Sequence, residues 1–283
     1  MANRRTKNKR ADAESTRRRK MRQRKQRGGG EPSAPAPDPD APVRLNRYIA
    51  QAGVTSRRKA DGLIADGKVK VNGSVVTELG TKVDPNDRVE VEGQVIEPEP
   101  FDYVLLNKPK DTITTVDDER DRAIVMDLLD DEARRRGVVP VGRLDRDTTG
   151  VLLLTNDGDL THRLMHPRYS VEKLYLVRAT APVKPHDLDR LRTGIDLDDG
   201  PASADRADYV SDDSHEVGLA LHEGRNRQIR RMMEALGYEV DKLDRVEYAG
   251  LRVDKLRRGQ WRRLKPHEVN RLRRSVKLKP LVF

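Results

Sequence analysis

The segment 141–158, which reads VGRLDRDTTGVLLLTNDG, places carboxylates beside a short apolar run. Its polar part carries Asp145 and Asp147 and leads directly into the apolar residues 151–154. A buried strand at 151–154 would hold these carboxylates rigidly at the edge of a core, where a carboxylate can perform chemistry. A loop of Arg and Asp salt bridges is the alternative that the residue types alone leave open.

Two further segments carry candidate side chains. The segment 223–232 reads EGRNRQIRRM and is rich in arginine. Ile229, Met232 and Met233 have the spacing of a helix face that packs on a core, and Arg230 lies off that face near the helix start. Tyr175 alternates along a predicted strand, a position at which a tyrosine is usually part of the core.

Several kinds of site are absent from the sequence. The chain has no cysteine, which excludes disulfides and thiolate chemistry. It has no glycine-rich phosphate loop, no His-Glu-x-x-His pattern and no nucleophile elbow around a serine. The acidic residues 196–200 lack the spacing of a calcium loop and indicate a polar turn. We therefore expect no metal and no cofactor.

The elements that must position these residues do not alternate regularly. Strands are predicted near 101–106, 151–154, 174–180, 216–221 and 240–246, and helices near 159–165, 185–192 and 227–236. This order favours an α+β domain with a largely antiparallel or mixed sheet over a doubly wound fold.

A smaller module is predicted upstream. Leu45, Tyr48 and Ile49 have helical spacing, Ser56 is placed to cap a second helix, and Asn72-Gly73 is typical of a hairpin turn. Residues 43–98 resemble the RNA-binding domain first known from ribosomal protein S-four, through their RLNRYI opening, the SRRKA helix start and the GKVKVNG turn. Its basic residues would meet phosphates of structured RNA: Arg47, Arg57, Arg58, Lys59, Lys68 and Lys70.

Charge is concentrated at the two ends of the chain. The 283 residues have a formal charge of +10, of which residues 1–30 alone carry +11, and residues 252–279 form a second basic segment. Two cationic ends around an acidic middle indicate a polyanionic partner, with nucleic acid the commonest. A solubilising tail and a solvated face are the alternative.

These patterns divide the chain into four segments. Residues 1–42 are predicted to be a disordered basic arm and Pro-rich linker, because they contain almost no large apolar residues. The S-four-type domain follows at 43–98, the larger α+β domain at 101–268, and a basic C-terminal tail at 269–283. No apolar run approaches the roughly 20 residues of a membrane helix, so we expect a soluble, cytoplasmic protein.

The larger domain resembles the pseudouridine synthases of the ribosomal small-subunit type. The resemblance begins in the segment 141–158 and continues through LTHRLMHPRY, EKLYLV, EGRNRQIRRM and GQWRRL, in the order expected of the family. Members of this family also carry the S-four-type module. The resemblance implies isomerisation of uridine to pseudouridine in ribosomal RNA, with no cofactor.

The resemblance also implies residue roles. Asp145 matches the essential aspartate, which would attack C1′ of the ribose or remove the proton from C2′. Arg230 matches the arginine of the Gln-Ile-Arg motif and would keep Asp145 ionised. Tyr175 would stack on the uracil and take part in proton transfer at C5. The remaining arginines of the motifs would bind phosphates: Arg143, Arg225, Arg227 and Arg231.

The expected partner is ribosomal RNA, leaning toward the large subunit, or a pre-ribosomal particle, bound by a monomer. Two other functions stay open from the sequence. One is a non-catalytic RNA-binding factor for ribosome assembly, which would keep the basic surface without the catalytic set. The other is a glycosidase of small nucleosides, which would not need the basic ends.

Overall fold

The computed structural model describes residues 42–283. The predicted arm at 1–42 therefore lies outside the described residues, apart from Pro42. Within the described part, a small module built around residues 43–96 precedes a larger α+β domain. None of the helices in 42–283 is long and apolar enough to cross a membrane.

The small module packs two helices against short strands. Helix α1 (Leu45–Gln51) follows β1 (Val43–Arg44), and α2 (Arg57–Ala65) begins where the Ser56 hydroxyl accepts the Lys59 amide at 3.4 Å, as the sequence predicts. A four-stranded sheet with the order β3-β2-β5-β6 and a β1-β4 pair complete the module. The remaining strands are β2 (Val69–Val71), β3 (Ser74–Val75), β4 (Lys82–Val83), β5 (Val89–Val91) and β6 (Gln94–Ile96).

An eight-stranded sheet forms the larger domain, with the order β13-β14-β10-β15-β9-β7-β16 and β8 paired beside β9. Only the β15-β9 contact is parallel among the pairs of this sheet, so the prediction of a mixed, mostly antiparallel α+β fold is confirmed. Its strands are β7 (Tyr103–Lys108), β8 (Val139–Pro140), β9 (Thr148–Thr155), β10 (Lys173–Ala179), β13 (Arg206–Tyr209), β14 (Glu216–Leu221), β15 (Val240–Tyr248) and β16 (Trp261–Arg263). A separate hairpin consists of β11 (Ile195–Leu197) and β12 (Gly200–Ala202).

Helices cover this sheet on its apolar faces. They are α3 (Asp131–Arg135), α4 (Gly158–Met165), α5 (Pro185–Thr193), α6 (Gln228–Ala235) and α7 (Pro266–Ser275), with 3₁₀ turns at Val125–Leu128 and Pro167–Tyr169. Strand β9 is buried along nearly its whole length and has apolar clusters on both sides, which explains the continuous run VLLL in its sequence.

The parallel contact between β9 and β15 is short and close. It joins Leu243 to Thr148, Asp244 to Thr149 and Arg245 to Gly150. Gly150 has a φ of +106°, and a Cβ placed there would lie 2.2 Å from the Arg245 carbonyl oxygen. Only glycine allows the two backbones to approach in this way.

The C-terminal segment differs from its prediction as a basic tail at 269–283. Helix α7 crosses the predicted boundary, and Val269, Leu272 and Val276 are at most 1% exposed in the core beside β7 and β9. Their spacing of three and four residues is that of a helix face packed on a core. The charge of the segment hid this stripe, because Arg271 and Arg274 are exposed on the outer face of the same helix.

Candidate active site

Asp145 lies in the loop that enters β9, as the sequence predicts. Its side chain is 31% exposed and lines a pocket of about 90 Å³ together with Tyr175 and Arg227. The pocket opens between this loop, strand β10 and the segment before α6. The other residues around it include Arg143, Leu144, Thr148, Leu221, Arg225, Gln228 and Leu243.

A buried lysine fixes the loop of Asp145 from below. Lys108, at the end of β7, is 0% exposed. Its ammonium group donates to the backbone carbonyls of Pro109, Asp145 and Arg146 at 3.1 Å each and of Thr148 at 2.9 Å. Burial lowers the pKa of Lys108 to about 8, against the opposing effect of nearby carboxylates, Asp147 and Asp145 first. Lys108 thus holds the backbone of the loop from the interior, while the side chain of Asp145 lines the pocket.

Tyr175 reaches the pocket from a distorted strand. On β10 it pairs with Leu219 of β14 and with Arg245 of β15, and the register toward β15 shifts between Leu174 and Tyr175. Such irregularities bend a strand and re-aim a side chain, and they are common next to active sites. Tyr175 also packs against two of the apolar clusters, so one face of its ring is supported by core residues.

Arg227 is the arginine that faces Asp145. One of its guanidinium nitrogens lies 3.8 Å from the Asp145 carboxylate, and its side chain is 52% exposed. Arg227 precedes α6 in the left-handed conformation, with a φ of 47°, which is uncommon for a residue other than glycine. Because this conformation costs free energy, it is typically found where function or packing demands it.

The structure does not bring Arg230 to Asp145, in contrast to its prediction from the resemblance. Its guanidinium donates to the Val240 carbonyl at 3.0 Å, its Nε is buried with no partner in the described residues, and Arg230 is not among the pocket residues. The stripe of Ile229, Met232 and Met233 does face the core, as predicted. Arg230 lies off this stripe on the side of β15 instead of the side of the pocket.

Two of the arginines predicted to bind phosphates are occupied inside the protein. Arg231 makes a bidentate ion pair with Asp199 at 3.0 and 2.9 Å. Arg225 contacts Asp199 and Glu223 at 3.3 Å and donates to carbonyls of the β11-β12 turn. The predicted polar turn at 196–200 is therefore the anchor of these two arginines. Arg143 is exposed at the pocket rim, as a phosphate contact would require.

Lys173 and Gln228 order the segment that carries Arg227. Lys173, two residues before Tyr175, donates to the carbonyl oxygens of Val171 and His222, and burial lowers its pKa to about 8. The buried Gln228 accepts the Arg225 amide at 3.0 Å and donates to Glu223. The sequence assigned no role to Lys108 or Lys173. The signal that could have found them is a lysine at the edge of an apolar strand, directly beside a candidate catalytic segment.

The basic residues of the small module fall into two groups. Arg57, Arg58, Lys59 and Lys70 are exposed, as an RNA-binding surface requires. Lys68 is paired with Glu92 at 3.0 Å, and both side chains are largely exposed. Arg47 differs most from its prediction as an RNA contact, because both of its terminal nitrogens bind Asp159 of the larger domain.

Comparisons with known proteins agree with both parts of the fold. Residues 102–235 match the RNA pseudouridylate synthase family, and residues 43–89 match the S4 domain family. The chain is 47% identical over 234 residues to the ribosomal large subunit pseudouridine synthase B of Bacillus subtilis, covering 81% of this chain and 95% of that protein. It is 44% identical to an uncharacterized RNA pseudouridine synthase of Mycobacterium bovis, covering 83% and 95%. A crystal structure of a pseudouridylate synthase matches with a TM-score of 0.59 at 31% identity, covering 81% of this chain and 99% of that one.

Proposed function

This chain belongs to the RNA pseudouridylate synthase family, and we propose that it isomerises a specific uridine to pseudouridine in ribosomal RNA of the large subunit. The name of the Bacillus subtilis relative specifies the large subunit, and the match covers 95% of that protein. The observation that carries the catalytic part of the proposal is the pocket shared by Asp145, Tyr175 and Arg227.

The reaction breaks the N1–C1′ bond of uridine and joins C5 to C1′. The proton on C5 is lost and N1 regains one, so substrate and product have the same composition and no oxidant or reductant takes part. Asp145 is the group proposed to act on the sugar, either as nucleophile at C1′ or as base at C2′. Its carboxylate is suited to both routes, because it is exposed to the pocket while its loop is fixed through Lys108.

Arg227 and Tyr175 complete the proposed catalytic set. The guanidinium of Arg227 lies 3.8 Å from the Asp145 carboxylate, beyond direct hydrogen-bond distance, so both groups keep hydrogen-bonding capacity for the substrate. Tyr175 is proposed to stack its ring on the extruded uracil and to use its hydroxyl in proton transfer at C5. Extrusion from the RNA is required because neither C1′ nor C5 is reachable within a stacked helix.

The RNA would be held mainly away from this pocket. The exposed cations of the S4-type module supply phosphate contacts without chemistry, and Arg143 supplies one at the pocket rim. A non-catalytic assembly factor could share the module, but it would not need a free carboxylate facing an arginine and a tyrosine. The monomeric state and the cytoplasmic location stay predictions from the sequence.

The test is to map pseudouridines in ribosomal RNA from cells that lack the protein. We expect one position in the large subunit to lose its modification, and purified protein to restore it on the unmodified RNA. An unchanged set of pseudouridines in the ribosomal RNA of the deletion strain would contradict the proposed function. Loss of a pseudouridine from the small subunit would support the proposed reaction but contradict the proposed target.

A further inference from the structure

A bidentate ion pair joins the S4-type module to the catalytic domain. The two terminal nitrogens of Arg47, on α1, each lie 2.8 Å from one carboxylate oxygen of Asp159, in the first turn of α4. The side chains are 25% and 30% exposed, so the pair is shielded from solvent over most of its surface. An Arg-carboxylate fork of this kind fixes orientation as well as distance.

Further contacts lie along the same boundary and its linker. The amide of Glu99 in the linker donates to the Gln51 carbonyl at the end of α1 at 3.0 Å. Asn156 donates to the Pro100 carbonyl at 3.0 Å. Gly53 approaches the Arg135 carbonyl so closely that a Cβ would lie 3.4 Å from it. Domains joined by a linker move relative to each other by default unless a specific contact prevents it.

The two ends of β9 connect this ion pair to the chemistry. Asp145 lies in the loop before the strand, and Asp159 lies just after it. Strand β9 has eight residues and is buried on both faces, so it spans about 26 Å as a rigid element at about 3.3 Å per residue. The Arg47-Asp159 pair therefore fixes the small module at a set distance from the Asp145 carboxylate.

We propose that Arg47 and Asp159 are positioning residues that fix the register of bound RNA, and thereby select which uridine reaches Asp145. RNA held by the exposed cations of α2 would then present its target at a fixed position relative to the module. This inference rests on the proposed function. It reassigns Arg47 from a phosphate contact to a contact between domains.

The test uses the full-length protein with two RNAs, a long ribosomal fragment that reaches the module and a short hairpin that carries only the target uridine. On the long RNA we expect Asp159→Asn to lower kcat/KM about fivefold to tenfold and to spread modification to neighbouring uridines. On the hairpin we expect Asp159→Asn to equal the wild type. The exchanged double variant Arg47→Asp/Asp159→Arg should recover most of the loss on the long RNA.

A matched control is Asp189→Asn, which removes an Arg-Asp pair with Arg192 inside α5 instead of between domains. It should leave both RNAs unaffected. Unchanged rate and site selection in Asp159→Asn on the long RNA would overturn the inference, and so would tighter RNA binding, which would mean that Asp159 competes with phosphates for Arg47. A double variant that folds but stays as impaired as Asp159→Asn would also contradict it. Activity of the wild type on the hairpin keeps the proposed function separate from these outcomes.

Discussion

Two aspartates flank strand β9 and have opposite surroundings. Asp145, before the strand, is 31% exposed, and its carboxylate has one ion-pair contact in the described part of the chain, with Arg227 at 3.8 Å. Asp157, after the strand, is 1% exposed. Its carboxylate accepts from the Leu160 amide at 3.0 Å, from the Tyr103 hydroxyl at 2.9 Å and from Arg273.

The difference separates a structural carboxylate from the one proposed to react. Every strong contact of Asp157 is made inside the protein, where it caps α4 and ties α7 to β7. Such a group has no capacity left for a substrate. Asp145 is held through its backbone carbonyl instead, by Lys108, so the carboxylate keeps its hydrogen-bonding capacity. A free side chain on a fixed backbone is what a group that must act on a bound sugar requires.

The largest effect is expected from Asp145→Asn. The variant keeps the size of the side chain but removes the charge, the nucleophile and the base, so pseudouridine formation should fall by about 10⁴-fold or more. RNA binding and thermal stability should stay close to the wild type, because within residues 42–283 the carboxylate has no ion pair closer than 3.8 Å. Tritium release from uridine labelled at C5 measures the rate.

The control for this variant is Asp147→Asn, two residues further along the loop. Asp147 is exposed and lies outside the Asp145 pocket, and its loss should have a mild effect on turnover. Robust activity in Asp145→Asn would refute the mechanism. An equal loss at both positions would indicate that the loop is only structural.

The opposite outcome is expected for Asp157→Asn. Removing one partner of a buried, charged pair leaves Arg273 uncompensated, so the free energy of unfolding should decrease by about 3–5 kcal/mol. Below the unfolding temperature, the turnover of the folded fraction should be close to the wild type. Urea unfolding followed by circular dichroism, together with turnover at low temperature, separates stability from activity. A loss of turnover in fully folded Asp157→Asn would contradict the proposed difference in role between Asp145 and Asp157.

Arg227→Gln and Arg230→Gln test which arginine serves Asp145. We expect Arg227→Gln to lower kcat by about 10²-fold, the usual range for one electrostatic partner in an active site, with little change in stability. Arg230→Gln should mainly affect stability, because Arg230 contacts the Val240 carbonyl instead of the pocket. Single-turnover rates at saturating enzyme measure both. A larger catalytic loss in Arg230→Gln would restore the assignment made from the sequence.

The smallest effect is expected from the titration of Lys108. Burial lowers its pKa to about 8, whereas the unfolded chain keeps the ordinary value near 10.5. Between these values the unfolded state binds more protons than the folded state, so this lysine makes stability rise with pH above about 8. The free energy of unfolding of the wild type, relative to Lys108→Met, should therefore increase between about pH 8 and pH 10. A difference that falls with pH would mean that the four carbonyl contacts raise the pKa instead.

The sequence was most informative where one continuous segment carries both a motif and its strand. Asp145, the apolar run of β9 and the Ser56 cap depend on neighbours in the chain, and all three occur as predicted. The strand predicted at 101–106 is β7 at Tyr103–Lys108 in the structure. It continues through the polar Asn107 and Lys108 because both find partners when buried.

Contacts between distant segments could not be predicted in this way. Whether Arg227 or Arg230 faces Asp145 depends on how α6 rests on the sheet and on the left-handed backbone of Arg227. The pairing of Arg47 with Asp159 joins positions 112 residues apart, whereas the phosphate contact was predicted from a cluster of basic residues within the S-four-type pattern. The burial of α7 was concealed for a related reason, because the net charge of a segment does not reveal an apolar stripe on one side of it.

The parallel contact of β9 with β15 has a consequence for how the enzyme becomes active as it folds. Strands β10, β13, β14 and β15 are adjacent in the sheet, whereas β7, β8 and β9 precede them in the chain. Three residue pairs join the two groups, beside the pocket. Asp145 belongs to the first group, and Tyr175 and Arg227 belong to the second.

A growing chain can therefore pair β7, β8 and β9 early, but it cannot bring Asp145, Tyr175 and Arg227 together until residues beyond 240 have been synthesised and docked. Pairing between such distant segments is intrinsically slow, because the loop closure must be completed before its contacts form. Recovery of activity during refolding thus reports the formation of the β9-β15 pairing. We expect the chain to have no activity on ribosomal RNA until β9 and β15 have paired.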